Sequence, residues 1–222
     1  MAVRVEPVVQ TSIGEAPVAY GSVADSSRAY SSPAKWFHWI TAAMVGIALP
    51  VGFAIKYFTT PDAAILKPDD AAAQAYLAAA NAIKFGAYAI HESAGLTIFI
   101  VVVLRLLWRL THRPAPLPDH IPLPLRRAAA AVHHTLYALL LLQPVLGFIA
   151  TNAWGFPLRG ATAYLGFIDL PKFMEQNVDL AGVLQALHMV GGWAILVLLV
   201  LHIGGAIYHQ AIRRDGTLLR MI

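Results

Sequence analysis

Two histidines near the C-terminal end of the chain lie in an apolar stretch long enough to cross a membrane. The stretch, residues 186–209, reads ALHMVGGWAILVLLVLHIGGAIYH and contains His188 and His202. On an α-helix their spacing of 14 residues amounts to about 1400° of rotation, roughly 40° short of four turns, so both side chains share a face. They would lie roughly 21 Å apart along the axis, one near each side of a bilayer. Because histidine is costly in hydrocarbon, this spacing predicts a site with two copies, one in each leaflet.

Four apolar segments of the chain reach the length that a membrane-spanning helix needs. They are residues 37–58, 87–108 and 128–150, and a fourth segment that begins near Leu184. The chain is 58% hydrophobic and only 13% charged, with a mean hydropathy of +0.62, a balance typical of an integral membrane protein. None of the segments alternates in polarity, so helices are favoured over a barrel. The predicted fold is all-α: an integral membrane four-helix bundle that forms one domain over residues 35–222.

The sequence outside these spans is more polar and supports three further predictions. Residues 1–34 form a polar extension that is either flexible or a docking segment for a partner. Residues 68–85 predict a short helix within the long loop after the first span. The chain has no cysteine, which excludes disulfides, cysteine-ligated iron–sulfur clusters and covalently attached haem.

Basic residues are concentrated in the two terminal segments and in the loop after the second span. The positive-inside rule therefore predicts that both termini and this loop are cytoplasmic, an N-in/C-in topology. The distribution explains the net charge of +4 without a nucleic-acid partner. The basic residues of the other two loops either create a positive field on the outer side, which would attract a small anion, or are scattered loop charges. These residues are Lys56, Lys67, Lys84, Arg159 and Lys172.

In this topology four histidines fall at two depths of the membrane. His38 opens the first span at its inner end, and His91 lies one turn into the second span at the outer end. The predicted pairs are therefore His91 with His188 on the outer side and His38 with His202 on the inner side. Two neutral imidazoles that face each other across a gap are the usual axial ligands of the iron in haem b. The sequence thus predicts two haem b groups, one at each depth.

Small residues follow each predicted ligand by one helical turn, where they would clear space for a flat porphyrin. His133 has the bulky Tyr137 at that position, whereas His134 is followed by Ala138. The alternative is that such histidines only hydrogen-bond a neighbouring helix and that small residues only pack helices together. Two pairs at matched depths favour haem. The small residues are Ala42, Gly95, Gly192 and Ala206.

Two arginines near the inner end of the second span add to this hypothesis. Arg105 and Arg109 share a helix face. They either neutralise the propionates of the inner haem or anchor the helix at the membrane surface. Acidic residues are scarce in the spans, with Glu92 the exception, so a non-haem metal site is disfavoured.

At these residues the sequence resembles a known family, the bacterial cytochromes b561, which are small dihaem membrane proteins that include superoxide oxidase. The matching motifs are KWFHW, IHESAG, VLRLLWRL, VHHTLYALLLLQPVLG, LHMVGGW, LHIGGAIYH and DGTLLRMI. Together they cover nearly all of residues 32–222. The resemblance implies an electron carrier of the bacterial cytoplasmic membrane with two b haems, and His38, His91, His188 and His202 as the ligands.

The resemblance also suggests substrates and competing functions. In the superoxide-oxidising members, superoxide reduces the outer haem and electrons pass inward to ubiquinone, so no side chain need be catalytic. His209, seven residues after His202, would then bind a quinone carbonyl or shuttle its protons, with His133 and His134 as lesser candidates. The alternative is a non-catalytic electron-transfer subunit that links quinone to a partner dehydrogenase or cytochrome. Such a partner would dock on the N-terminal extension or on the outer loops.

Overall fold

The computed structural model describes residues 29–55, 70–113, 121–156 and 163–222, and four long helices contain most of these residues. Each helix contains a window apolar enough, and is long enough, to cross a membrane. The prediction of an all-α membrane bundle is therefore confirmed. The helices are α1 (Ser32–Ile55), α2 (Ala71–Thr111), α3 (Leu123–Ala153) and α4 (Val178–Ile207).

The helices pack as two pairs, α1 with α2 and α3 with α4, and a smaller contact between α2 and α3 joins the pairs. Where they meet, the core is small and consists of Val45, Ala48, Ala94, Ile98, Val102, Leu136 and Ile195. Many of the larger apolar side chains point outward instead; Val200, for example, is 64% exposed. This distribution is expected of helices whose outer faces contact lipid and whose association depends on close packing.

Helix α2 is much longer than a membrane span requires. Its 41 residues extend about 61 Å, whereas the hydrocarbon core of a bilayer is about 30 Å thick. Asp70 caps the helix by accepting hydrogen bonds from the backbone N–H groups of Ala72, at 2.9 Å, and Ala73. The predicted helical conformation of residues 68–85 is confirmed from Ala71 onward. The helix is not short, however, because these alanine-rich turns continue directly into the second span. Alanine is the strongest helix former, and no proline separates the two parts.

Helix α1 begins at Ser32, so residues 32–34 of the predicted extension belong to the first helix. Pro33 lies in the first turn, where the missing N–H group of proline costs nothing. The extension itself stays a prediction, since residues 1–28 lie outside the described residues.

The C-terminal segment folds back onto the start of α1. The Lys35 ammonium donates a hydrogen bond to the carbonyl oxygen of Ile222 at 2.5 Å. The Trp39 indole N–H donates to the carbonyl of Met221 at 3.0 Å. Both ends of the described chain therefore lie at one end of the bundle, which we call the termini end. The membrane face that it occupies stays a prediction.

Between α4 and this tail the helix changes its winding. A π-helical turn, Tyr208–Arg213, continues α4, and Arg214 then adopts the left-handed conformation with φ of 52°. A 3₁₀ turn, Leu218–Arg220, follows. The reversal at Arg214 turns the chain back toward α1.

A small hairpin packs on α2 at the opposite end of the bundle. Strands β1 (Ala163–Tyr164) and β2 (Ile168–Asp169) pair antiparallel in the connection between α3 and α4. The hydroxyl groups of Tyr164 and Thr97 are 3.2 Å apart, and the Leu165 N–H donates to Ser93 Oγ at 3.0 Å. The hairpin thus covers the part of α2 next to His91, which the sequence did not predict.

Candidate functional site

His91 on α2 and His188 on α4 face each other inside the bundle. Their ring centroids are 5.9 Å apart and the ring planes are nearly perpendicular, at 83°. An iron atom bound by one nitrogen of each ring would separate the centroids by roughly 6 Å, given metal–nitrogen bonds of about 2.0 Å and a ring centre about 1.1 Å from each nitrogen. The observed separation fits axial ligation of one iron.

Backbone carbonyls of neighbouring helices fix the orientation of both rings. His91 Nδ1 lies 2.8 Å from the carbonyl oxygen of Ala48, and His188 Nδ1 lies 3.0 Å from that of Gln143. A carbonyl oxygen only accepts, so Nδ1 carries the proton in each ring and the lone pair remains on Nε2. Histidines that bind metals usually donate their other N–H in this way. The rings are therefore in the tautomer that ligation through Nε2 requires.

A glycine on the neighbouring helix makes room for each of these rings. A Cβ atom on Gly52 would lie 2.5 Å from Cε1 of His91, and one on Gly147 would lie 3.0 Å from Cε1 of His188. Both glycines come four residues after the carbonyl that accepts the imidazole N–H. The same local arrangement thus occurs twice, once on α1 and once on α3. Sequence reasoning missed both glycines, which lie in the motifs LPVG and QPVLG.

Gln143 stabilises the contact between α3 and α4 beside His188 through hydrogen bonds. Its side chain is 7% exposed, and its Nε2 donates to the backbone carbonyl of His188 at 2.7 Å. Gly191 admits this amide, because a Cβ atom there would overlap it. Two hydrogen bonds therefore join Gln143 to His188, one through its carbonyl oxygen and one through its side chain.

The two glycines that the sequence singled out border open space. Among the described residues, no atom lies within 4 Å of a Cβ atom built on Gly95 or Gly192. A glycine needed for close helix packing would have a neighbour there, as Gly191 does. Gly95 and Gly192 are nevertheless half-buried, whereas Gly182, which also has no neighbour, is exposed. Open space beside half-buried glycines is compatible with the predicted porphyrin slot.

The termini end brings three histidines together. The ring centroids of His38 and His202 are 6.0 Å apart, and those of His133 and His202 are 5.0 Å apart. Only the first distance matches the roughly 6 Å that an intervening iron needs. The geometry therefore favours His38 over His133 as the partner of His202.

Arg105 lies against this cluster, but Arg109 does not share its contact. Arg105 Nη1 is 3.2 Å from Nδ1 of His38, and its guanidinium lies over the ring of Tyr137, 5.3 Å from the centroid. A guanidinium only donates, so His38 Nδ1 accepts here and its ring proton is on Nε2. Ligation through Nε2 requires Arg105 to leave Nδ1, which would free the guanidinium for a propionate. Arg109 is exposed and lines a groove between α2 and α3.

The remaining predicted residues differ in their surroundings. His134 is exposed, and its Nδ1 lies 2.7 Å from the carbonyl of Ala130 on its own helix. His209 Nδ1 lies 2.6 Å from Oδ2 of Asp215, which also accepts from Arg213 Nε at 3.2 Å. Sequence reasoning missed Asp215.

Asp215 is an anion at all ordinary pH values. Burial opposes its ionisation, but hydrogen bonds from Thr217 and His209 outweigh burial and lower the pKa of Asp215 to about 2. Nδ1 of His209 therefore donates to a carboxylate, and Nε2 remains available to a substrate.

Comparison with known proteins agrees with this geometry. Residues 29–222 match the family model described as prokaryotic cytochrome b561. The chain belongs to the prokaryotic cytochrome b561 family. Membership implies membrane electron transfer, haem b and a multi-pass location in the bacterial inner membrane, as the sequence predicted.

This chain also matches three curated relatives and covers more than two thirds of the length of each. Cytochrome b561 homolog 2 of Escherichia coli (strain K12) is 34% identical over 134 residues, which is 60% of this chain and 69% of the relative. Cytochrome b561 homolog 1 of the same organism is 31% identical over 137 residues, which is 60% of this chain and 72% of the relative. A protein of Yersinia pestis named probable superoxide oxidase CybB is 28% identical over 136 residues, which is 60% of this chain and 73% of the relative.

Proposed function

We propose that this cytochrome b561 carries electrons across the membrane through two haem b groups, from superoxide on the outer side to ubiquinone. The observation that carries the proposal is the pair His91–His188, with its 5.9 Å separation and its two carbonyl-bound Nδ1 atoms. The name of the Yersinia pestis relative supports superoxide as the donor.

The proposed roles of the chain are binding and orientation. Haem b, when bound, takes up and releases single electrons. His91 and His188 would hold one haem and His38 and His202 the other, with the open space at Gly95 beside the first pair. Arg105 would move from His38 to a propionate and so neutralise its charge.

The overall reaction balances with two superoxide ions for each quinone. Each superoxide loses one electron and becomes O₂, and ubiquinone takes two electrons and two protons to become ubiquinol. We assign proton delivery to His209, because its Nδ1 is bonded to the carboxylate of Asp215 at 2.6 Å, which leaves Nε2 available to the quinone. His133 remains a lesser candidate, and His134 a weaker one because its Nδ1 is bonded within its own helix.

Positive charge on the outer side would assist the encounter with superoxide. Of the basic residues in the predicted outer loops, Lys84 and Lys172 belong to the described residues, whereas Lys56, Lys67 and Arg159 lie outside them. Lys84 lies on the part of α2 that continues beyond the predicted span. A positive field there would attract a small anion and raise its rate of association.

The projecting part of α2 favours a second candidate function, that of an electron-transfer subunit for a partner dehydrogenase or cytochrome. Tyr76 and Ile83 on this part are 59% and 60% exposed. Seven residues apart, they share one helix face, and exposed apolar side chains of this kind often mark a protein interface. Purification from native membranes separates the two functions, since a stoichiometric partner would support the second.

The test is rapid-mixing absorbance on the oxidised, haem-loaded protein after a pulse of superoxide, with and without a ubiquinone analogue. We expect haem reduction, followed by reoxidation that requires the quinone. The variant His188→Ala should lose the first step. Two b haems that superoxide does not reduce would refute the proposed donor and leave the subunit function.

A further inference from the structure

A groove between α2 and α3 near the termini end is separate from the histidine pairs. Its volume is about 800 Å³, within the range of ligand sites in proteins. None of its lining residues is a predicted ligand of a haem iron, and Arg109, one of the two arginines that the sequence suggests for the propionates of the inner haem, faces this groove instead of the histidines. The lining residues are Val103, Leu106, Leu107, Arg109, Leu110 and Arg113 of the α2 end and Leu141 of α3.

The walls of the groove are apolar and run along one face of α2. The lining positions from Val103 to Arg113 recur every three or four residues and extend about 15 Å along the axis. Leu110 at the open side is 76% exposed and Leu107 is 55% exposed. The aromatic ring of Trp108 marks the level of the membrane surface. The groove therefore runs from the hydrocarbon region toward the headgroups.

Two arginines form the mouth of the groove. Arg109 and Arg113 lie four residues apart, so their guanidinium groups are neighbours. In the part of the chain that the structure describes, neither has a hydrogen bond or an ion pair with the protein. Two adjacent cations without a counter-charge repel each other, and a phosphate group binds guanidinium groups through paired hydrogen bonds.

We propose that this groove binds one anionic phospholipid, with its phosphate at Arg113 and Arg109 and an acyl chain along the leucine wall. Basic pockets between transmembrane helices at the headgroup level are suited to anionic lipids. The apolar tail of a quinone would also fit along the leucines of the groove, but the neutral quinone headgroup would leave both arginines without an anion. The site is independent of the proposed electron donor.

Native mass spectrometry of the haem-loaded protein tests the site. The delipidated protein is titrated in detergent with dioleoylphosphatidylglycerol and, separately, with dioleoylphosphatidylcholine. We expect one saturable phosphatidylglycerol adduct and weaker binding of phosphatidylcholine. Arg113→Ala should weaken the adduct about fivefold, the usual contribution of one basic residue at a membrane surface. Leu110→Trp should weaken it by filling the groove.

The matched control is Arg127→Ala, which removes an exposed arginine at the same end of the bundle outside the groove. It should leave the adduct unchanged. An equal loss in Arg127→Ala, or equal affinity for phosphatidylcholine, would overturn the proposal. Displacement of phosphatidylglycerol by ubiquinone would also overturn it and assign the groove to quinone. The haem content of each variant, read from its absorbance, verifies that the protein is folded.

Discussion

Gly147 offers a direct test of how the bundle positions an imidazole. In Gly147→Ala the new methyl group would lie 3.0 Å from Cε1 of His188, whereas carbon atoms in contact are ordinarily about 3.5–4.0 Å apart. The ring must therefore move away by a few tenths of an ångström. This movement should lengthen and weaken the hydrogen bond from His188 Nδ1 to the carbonyl of Gln143, now 3.0 Å.

Weakening of this bond should in turn weaken haem binding at the His91–His188 site. Removing such an outer partner of a metal ligand commonly lowers affinity by about 10–100-fold. We therefore expect the haem content of Gly147→Ala, measured by absorbance against protein, to fall toward that of His188→Ala when haem is limiting. Redox titration should show the same single haem in both variants.

The matched control is Gly182→Ala on α4, because a Cβ atom there meets no described atom within 4 Å. An alanine at this helical position should be neutral or stabilise the helix by up to about 1 kcal/mol. Full haem content and unchanged potentials in Gly147→Ala would refute the argument that this glycine positions His188.

Three other predictions concern the remaining parts of the site. Gly192→Val should obstruct the open space beside its helix and lower haem content, without changing the unfolding temperature of the haem-free protein. His38→Ala should lose one haem while His133→Ala keeps both, as read from pyridine haemochrome spectra; the reverse result would reassign the inner ligand. Asp215 has a pKa lowered to about 2 in the folded protein, so its stabilising contribution is complete above about pH 4 and is lost as the pH falls through 2. Thermal unfolding between pH 5 and 2 should therefore show this loss in the wild type and not in Asp215→Asn.

The elements that sequence reasoning predicted are those that depend on local pattern. Hydropathy is a property of each span by itself, and the turn of 100° per residue fixes which side chains share a face. These two facts were enough to place His188 and His202 at different depths and to pair them with His91 and His38. The structure brings both pairs to about 6 Å.

The features that sequence reasoning missed arise where helices meet. The carbonyl of Ala48 bonds to His91 only because α1 crosses α2 at that turn, and no local pattern encodes a crossing point. Gly52 gave a weak signal, as a glycine within a span two residues after Pro50. The two-residue strands of the hairpin are too short to show alternation. The continuity of α2 was missed because its alanine-rich turns fall below the hydropathy of a span, although they remain strong helix formers.

The unbroken course of α2 has a mechanical consequence. About 16 residues separate Ala71 from the start of the predicted span, so α2 continues for roughly 24 Å beyond that span. No proline kink lies between these turns and His91. A sideways displacement of about 2 Å at Ala71 would tilt the helix by roughly 5° and press the ring of His91 against Gly52. A partner that binds the N-terminal turns of α2 would therefore displace His91, a predicted haem ligand, and its binding should change the absorption spectrum of the haem-loaded protein.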